Sequence, residues 1–354
     1  MGATQIVVAA AGLWFLLGCR GEPGAEFESH AEPNRPGALS VDSAPSVRAG
    51  SVPLVRAEAA SEPIAPLPSS QPEDAARVAV GAELFASSVL SEDGQVSCKS
   101  CHDPAHTFVD GQALSRPAGR SPMAKNTPTL LNVAHLQVFN WDGRFSSLED
   151  HLDALIQNPM VHGSTWSALA ERLRRDEHWS QRFGRAFPDG VTGANAKAAL
   201  LAFERSLASP GAPFDRWLLG EEDAISSRAA EGYALFKSRG CVSCHQGALV
   251  GGNLFQRLGI IKPYYADGDA LPESDLGRFE VTGRPEDKHV FRVPSLRNVG
   301  LTAPYLHDGS LPTLPMAVSV MATYQLGRPL DKDQIDQIVT FLETLSGPVQ
   351  SELP

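Results

Sequence analysis

The chain has 354 residues, of which 42% are hydrophobic, and this is enough for two folded cores of ordinary size. Its formal net charge of −11 argues against nucleic acid as a partner, because a nucleic-acid-binding surface carries an excess of Lys and Arg. Four of the five cysteines fall in two Cys-x-x-Cys pairs, so no pair is left over for a disulfide.

The chain begins with a segment typical of an export signal. Residues 6–17 are an apolar run that is too short to cross a bilayer. The run ends at Gly18 and Cys19, which is similar to the lipobox of bacterial lipoproteins, and it predicts a signal peptide over 1–19 with Cys19 lipidated. An ordinary secretory signal with an incidental cysteine is the alternative. Both readings predict the periplasmic side of the cell envelope. If Cys19 is lipidated, the lipid anchor is the only contact of the protein with the membrane. Arg20, the residue after this cysteine, then favours sorting to the outer membrane.

Residues 20–72 are rich in Pro, Ala, Glu, Ser and Gly and show no apolar period, so they predict a disordered tether. Structure is predicted to begin with a helix at 73–86. No later stretch alternates convincingly as a strand does, and a hinge near 209–211 divides the rest into domains at 73–209 and 210–354. The other predicted helices are 147–157, 165–175, 177–186, 194–207, 226–237 and 331–345.

Two copies of a Cys-x-x-Cys-His pentapeptide predict two covalently bound c-type haems. The two thiols can each form a thioether with the haem, and the adjacent imidazole can ligate the iron. The residues are Cys98, Cys101 and His102 in the first copy and Cys241, Cys244 and His245 in the second.

The two halves of the chain repeat one another, which predicts a duplicated domain. The expected fold is therefore mostly α, with two cytochrome c-like haem domains and many loops. The matching stretches are 81–85 with 232–236, 127–133 with 293–299, and 141–144 with 307–310.

The repeat separates the two haems by their sixth ligand. Met321 follows Asp308 by thirteen residues, whereas the matching position in the first half is Leu155, which cannot ligate iron. We therefore predict a six-coordinate His245/Met321 haem and a first haem that lacks the equivalent ligand. A methionine that only packs in the core is the alternative for Met321, and Met316 is the rival ligand.

The stretches 139–149, 214–220 and 293–310 resemble the bacterial dihaem cytochrome c peroxidase family, which includes the methylamine-utilisation dihaem oxygenase. The resemblance runs from about residue 77 to about residue 347. It implies that electrons from a small cytochrome c or cupredoxin enter at the C-terminal haem. They then pass by Trp141 to a peroxidatic N-terminal haem, whose proximal ligand is His102. It also implies a calcium ion held by the side chain of Asn126 and the carbonyls of Thr302 and Pro304, and it admits a homodimer.

Three positions depart from the family pattern. Ala118 stands where many members carry a histidine that closes the resting peroxidatic haem, so this haem is expected to be open. His151 stands where the family has a distal Gln, and Val161 where it has a distal Glu, with His162 beside it. The missing carboxylate places the proton-transfer step in question.

The sequence thus predicts a peroxidase that reduces hydrogen peroxide, with His151 as the distal acid/base. The alternatives for His151 are a surface helix residue or a sixth ligand that blocks the iron. His162 and the remaining histidines of the first half are interpreted as structural. The alternative functions are a dihaem oxidase that modifies a partner protein and a non-enzymatic electron carrier or redox sensor.

Overall fold

The computed structural model describes residues 62–69, 71–252, 254–266 and 271–349. The predicted signal peptide, Cys19 and most of the predicted tether lie outside the described residues. Within those ranges no helix is both long enough and apolar enough to cross a membrane. All of the described residues belong to one compact unit, so its two halves can be described together.

The first half contains five helices around one apolar core, which consists of buried side chains between Val80 and Leu207. Several of these helices begin at a side-chain cap. At the second helix, Ser147 Oγ accepts a hydrogen bond from the backbone N–H of Asp150 at 3.0 Å. The helices are α1 Ala75–Ala86, α2 Leu148–Gln157, α3 Trp166–Arg174, α4 Glu177–Ala186 and α5 Gly193–Ser206.

The second half contains the other helices of the described chain and a separate apolar core between Phe214 and Leu345. The last helix buries Ile338, Phe341 and Leu342, which recur at helical spacing on one face. The helices are α6 Pro213–Leu218, α7 Ser227–Arg239, α8 Phe279–Thr282, α9 Leu314–Val320 and α10 Lys332–Glu343. A π-helical turn, Met321–Gln325, directly continues α9.

In both halves, the first repeated stretch begins with a glycine at which two helices cross closely. A side-chain carbon on Gly81 of α1 would lie 2.0 Å from the carbonyl oxygen of Ala199 in α5. A side-chain carbon on Gly232 of α7 would lie 2.0 Å from the carbonyl oxygen of Gln337 in α10. Each glycine therefore allows two helix backbones to cross closely, next to the haem motif that follows.

One short antiparallel pair was not expected from the sequence. Strands β1 Phe255–Arg257 and β2 Val290–Arg292 pair with Gln256 opposite Phe291. Each strand has three residues, which is too few for an alternating pattern to be recognised. The mostly α prediction nevertheless holds for the described chain.

The boundary of the predicted tether needs a correction. Residues 62–69 pack on the second half, where Ile64 is fully buried in the core. The Glu62 carboxylate accepts hydrogen bonds from Tyr233 at 2.5 Å and from Lys237 at 3.0 Å. The Ala65 carbonyl accepts one from Arg297 at 2.9 Å. Composition alone assigned this segment to the tether because it contains only two large apolar side chains.

Candidate functional site

Both Cys-x-x-Cys-His motifs fold into the same short turn. The cysteine turns are the 3₁₀ helices Cys98–Ser100 and Cys241–Ser243. In each, the histidine N–H donates to the carbonyl of the first cysteine at 3.0 Å. The turn gathers two thiols and one imidazole at one place, which is the arrangement that a covalently attached haem requires.

Both proximal histidines are oriented by a backbone carbonyl. His102 Nδ1 lies 3.0 Å from the Phe108 carbonyl oxygen, and His245 Nδ1 lies 3.2 Å from that of Val250. Because Nδ1 donates to the carbonyl, Nε2 keeps its lone pair for an iron. Burial lowers the pKa of His102, and it lowers the pKa of His245 to about 4, so both rings are neutral, as a metal ligand must be.

A cavity of about 350 Å³ adjoins the second motif and reaches residues of the first half. Cys241, Cys244, His245 and Met321 all line it, together with many apolar side chains. Met316 does not line it and is 45% exposed, so the structure places the predicted ligand rather than its rival beside the motif. The thiols, imidazole, thioether and apolar walls fit a haem with His and Met ligands.

Trp141 lies where the two halves meet. Its Nε1 donates to the Asn126 carbonyl at 2.9 Å, and its own carbonyl accepts from the Arg292 backbone N–H at 2.8 Å. The ring lines the same cavity as His245 and meets the edge of the His307 ring at a centroid distance of 6.4 Å. The chain therefore places Trp141 between the second haem pocket and the first half.

The three expected calcium ligands all lie along the wall of this cavity. Asn126, Thr302 and Pro304 all line the cavity. The Asn126 side-chain N–H group donates to the carbonyls of Gln112 at 3.0 Å and Ala113 at 3.2 Å. This orientation leaves the side-chain oxygen of Asn126 available to a cation.

The half-buried His151 packs against two aromatic side chains of the first half. Its ring stacks on Phe139 at a centroid distance of 5.8 Å and contacts Phe145 at 5.4 Å. Burial, with smaller contributions from His102 and Arg292, lowers the pKa of His151 to about 4. This position favours the alternatives of a base and of a sixth ligand over that of a surface helix residue.

His162 also belongs to the first haem site, which the sequence did not indicate. Its ring is 2% exposed, and Nε2 lies 3.8 Å from Cys98 Sγ. Nδ1 has no hydrogen-bond partner among the described residues, and burial, followed by the charge of Arg120, lowers the pKa of His162 to about 4. The side chain next to the position of the family's distal Glu is thus a neutral imidazole that lies at the attachment cysteine.

The loop that carries Ala118 is fastened by Arg120. The Arg120 guanidinium bonds Asp93 at 2.8 Å and the Pro159 carbonyl at 3.2 Å, and it also bonds the Val161 carbonyl. Ala118 itself is exposed. The loop is therefore tied to both segments that flank His162, and position 118 offers no side chain that could reach an iron.

Two buried arginines differ in their partners. Arg297 is 2% exposed and pairs with Asp215 at 2.7 Å. Arg292 is 4% exposed and lines the cavity, and its Nε donates to the Asn140 carbonyl at 3.1 Å, but no described carboxylate pairs with it. Burial lowers its pKa to about 10. A buried cation requires an anion, and the carboxylates of a haem supply one.

The chain matches the family model "Di-haem cytochrome c peroxidase" over residues 75–223. It is 39% identical to the cytochrome c551 peroxidase of Nitrosomonas europaea over 82% of this chain and 85% of the relative. It is 38% identical to the cytochrome c peroxidase Ccp of Escherichia coli, of which it spans 62%. It is 33% identical to the methylamine utilization protein MauG of Methylorubrum extorquens, over 82% of this chain and 84% of the relative.

Two solved structures of MauG-like and diheme peroxidase proteins have a fold similar to that of this chain. A MauG-like protein associated with microbial copper homeostasis superposes with a TM-score of 0.71 at 25% identity, over 79% of this chain and 93% of that one. The diheme peroxidase BthA of Burkholderia thailandensis shares the fold, with a TM-score of 0.60 at 21% identity over 78% and 87% of the two chains. The chain therefore belongs to the di-haem cytochrome c peroxidase family, whose members carry two c-type haems, and it is an oxidoreductase of the peroxidase type.

Proposed function

We propose that the protein reduces hydrogen peroxide to water with electrons from a small cytochrome c or cupredoxin. The electrons enter at the C-terminal haem and pass through Trp141 to the N-terminal haem. The observation that carries this proposal is the difference between the two sites. Met321 lines the His245 pocket, whereas His151, between Phe139 and Phe145, faces the His102 half. A Met-ligated haem relays electrons, and an open one reacts.

When bound, the haems supply the redox-active iron, and the chain supplies the ligands, the electron route and the proton transfer. Reduction of one hydrogen peroxide consumes two electrons and two protons and yields two waters. The neutral His151 ring can accept a proton from one peroxide oxygen and return it to the other. Trp141 bridges the halves, since its N–H is held by Asn126 and its carbonyl by Arg292.

The remaining expectations complete the proposal. Asn126, Thr302 and Pro304 would hold one calcium ion at the junction of the halves, where they would fix the carbonyl that binds Trp141. A signal peptide and a lipid on Cys19 would place the protein on the periplasmic side of the envelope, at the outer membrane. The homodimer stays a prediction.

The Met321 side chain favours this function over the oxidase that modifies a partner protein. The methylamine-utilisation relative is expected to carry Tyr at the matching position, and a thioether supports electron transfer instead. The buried polar site around His151 and His162 favours it over a simple electron carrier, because an electron carrier needs no proton-handling side chains at its haem.

The test is turnover of hydrogen peroxide with a reduced small cytochrome c. We expect His151→Ala to lower kcat at least tenfold, since a positioned acid/base contributes roughly 10²–10⁴-fold, and His151→Gln to retain more activity. Trp141→Phe should slow electron transfer between the haems without changing either haem spectrum. Wild-type peroxide turnover in His151→Ala would show that His151 is not the base. An unchanged rate of electron transfer between the haems in Trp141→Phe would show that the route does not pass through Trp141.

A further inference from the structure

Three of the five tyrosines of the chain form one row of touching rings. The Tyr264 ring lies edge-on to Tyr265 at a centroid distance of 5.2 Å and edge-on to Tyr324 at 5.2 Å. The other two are held elsewhere: Tyr233 donates to Glu62, and Tyr305 donates to the Val299 carbonyl. The row is made from two segments far apart in sequence, so it is a product of the fold.

The inner end of the row reaches Trp141. The Tyr265 hydroxyl lies 3.5 Å from His307 Nε2, and the His307 ring meets Trp141 edge-on at 6.4 Å. His307 Nε2 also lies 2.6 Å from Asp275 Oδ1. Because Nε2 faces both partners, the Asp275 carboxylate is the base of this buried pair: it takes the Nε2 proton as Nε2 takes the phenol proton.

The outer end of the row reaches the surface. Tyr324 is half-buried, and the exposed Lys262 places its ammonium 5.3 Å from the centre of the Tyr324 ring. Ile261, which is 64% exposed, donates its backbone N–H to the Tyr324 carbonyl at 3.2 Å. A continuous series of side-chain contacts therefore runs from Trp141 to the half-buried Tyr324, which lies beside the exposed Lys262.

We propose that this row carries oxidising equivalents from Trp141 to the surface when no electron donor is available. The inference rests on the proposed electron route through Trp141. With donor present, electrons reach Trp141 from the C-terminal haem and the row stays idle. Without donor, Trp141 loses an electron during peroxide reduction. The tyrosines of the row then supply an electron to the oxidised Trp141 by transfer from one ring to the next.

The electrons and protons balance. Each step moves one electron inward, from Tyr265 to oxidised Trp141, then from Tyr264 to Tyr265, then from Tyr324 to Tyr264. The Tyr265 phenol proton moves to the Asp275–His307 pair and returns when Tyr264 reduces this ring. The half-buried Tyr264 loses its phenol proton to solvent and regains one when Tyr324 reduces it, and Tyr324 releases its own proton to solvent. A phenol at the surface then reduces the Tyr324 radical. In total, one hydrogen peroxide and two phenols give two waters and two phenoxyl radicals.

The half-buried phenol of Tyr265 has the protonation state that this route needs. Burial, followed by the negative charge of Asp275, raises the pKa of Tyr265. The ring is therefore a neutral phenol until it is oxidised, and its electron and proton leave together. A local base is then required, and the Asp275–His307 pair satisfies this requirement.

The test uses the full chain with both haems, hydrogen peroxide without donor, and a nitroso spin trap, followed by peptide mapping. We expect the trapped adduct on the Tyr324 peptide. Tyr264→Phe should reduce that adduct severalfold, whereas Tyr233→Phe, which alters a buried phenol outside the row, should leave it unchanged. Because Tyr324 follows Met321 by three residues, an adduct that persists in Tyr264→Phe would mean oxidation from the second haem site, and it would overturn the row.

Two further measurements separate this inference from the proposed function. Tyr264→Phe should keep wild-type peroxide turnover with a reduced cytochrome c, and Trp141→Phe should lose the Tyr324 adduct. If wild type turns over with donor but forms no tyrosine adduct without it, the row is wrong and the peroxidase stands. If Trp141→Phe forms the adduct as wild type does, the inner end of the row is wrong.

Discussion

Arg292 and Arg297 are five positions apart and both are buried, yet only Arg297 has a carboxylate partner among the described residues. The sequence could not distinguish them, because the partner of Arg297 is Asp215, which is far away along the chain. The same holds for His162, whose contact with Cys98 joins residues 64 positions apart. The haem cysteines and proximal histidines were predictable because their chemistry needs a fixed local spacing.

The unpaired Arg292 leads to a prediction about haem potential. We expect Arg292→Met to lower the midpoint potential of the haem whose carboxylate it neutralises, since removing a nearby cation stabilises the oxidised iron. A shift of about 60 mV would correspond to a tenfold change in the one-electron equilibrium. Spectroelectrochemical titration measures it, and Arg292→Lys, which keeps the charge, is the control. Two unchanged potentials in Arg292→Met would show that Arg292 pairs with neither haem.

Glu204 on α5 gives a prediction about pH. It is 5% exposed, and burial raises the pKa of its carboxyl from 4.5 to about 7. The unfolded chain therefore loses this proton at lower pH than the folded chain does. The Glu204 carboxyl therefore does not affect stability below about pH 4.5. Between about pH 4.5 and about pH 7 it destabilises the fold progressively more.

We expect Glu204→Gln to increase the free energy of unfolding above pH 7 by up to about 3 kcal/mol and to change it little at pH 4. Urea unfolding of the two proteins at both pH values measures the difference. An equal effect of the substitution at pH 4 and pH 8 would mean that the carboxyl does not titrate between them.

At the scale of elements, helix predictions followed apolar spacing and therefore agreed with the structure within about two residues at each end of the long helices. α6 and α8 were missed because helices of six residues or fewer show less than two helical periods. The strands β1 and β2 were missed because three residues are too few for an alternating pattern. The contact of residues 62–69 was missed for a different reason: it depends on hydrogen bonds to the second half rather than on local pattern.

The close helix crossings make a prediction about single glycines. Gly81→Ala would place a carbon 2.0 Å from the Ala199 carbonyl oxygen, so α1 and α5 must separate. We expect a loss of roughly 1–3 kcal/mol or more, as for other overpacked sites. Gly184 of α4 has no atom within 4 Å of its added carbon, and Gly184→Ala should stabilise by roughly 0.5–1 kcal/mol. Urea denaturation tests both, and a harmless Gly81→Ala would disprove the steric role.

At the scale of the whole molecule, four charged side chains join the two halves. The Lys125 ammonium lies 2.6 Å from the Glu280 carboxylate and 3.4 Å from the Asp142 carboxylate. The Arg144 guanidinium lies 3.4 Å from the Glu280 carboxylate and 2.7 Å from the Asp142 carboxylate. Although burial opposes it, the Arg144 guanidinium lowers the pKa of Asp142. Because Asp142 directly follows Trp141, this network holds the proposed electron route at the junction.

Replacing Lys125 should therefore affect both stability and electron transfer between the haems. Lys125→Met leaves Asp142 and Glu280 close together with only Arg144 between them, and we expect a cost of roughly 1–3 kcal/mol in urea unfolding. The exposed pair of Arg228 and Asp333 is the control, since solvent screens it and Arg228→Met should cost much less. Flash reduction of the C-terminal haem should show slower transfer to the N-terminal haem in Lys125→Met only. Equal transfer rates in both variants would mean that the network joins the halves without positioning Trp141.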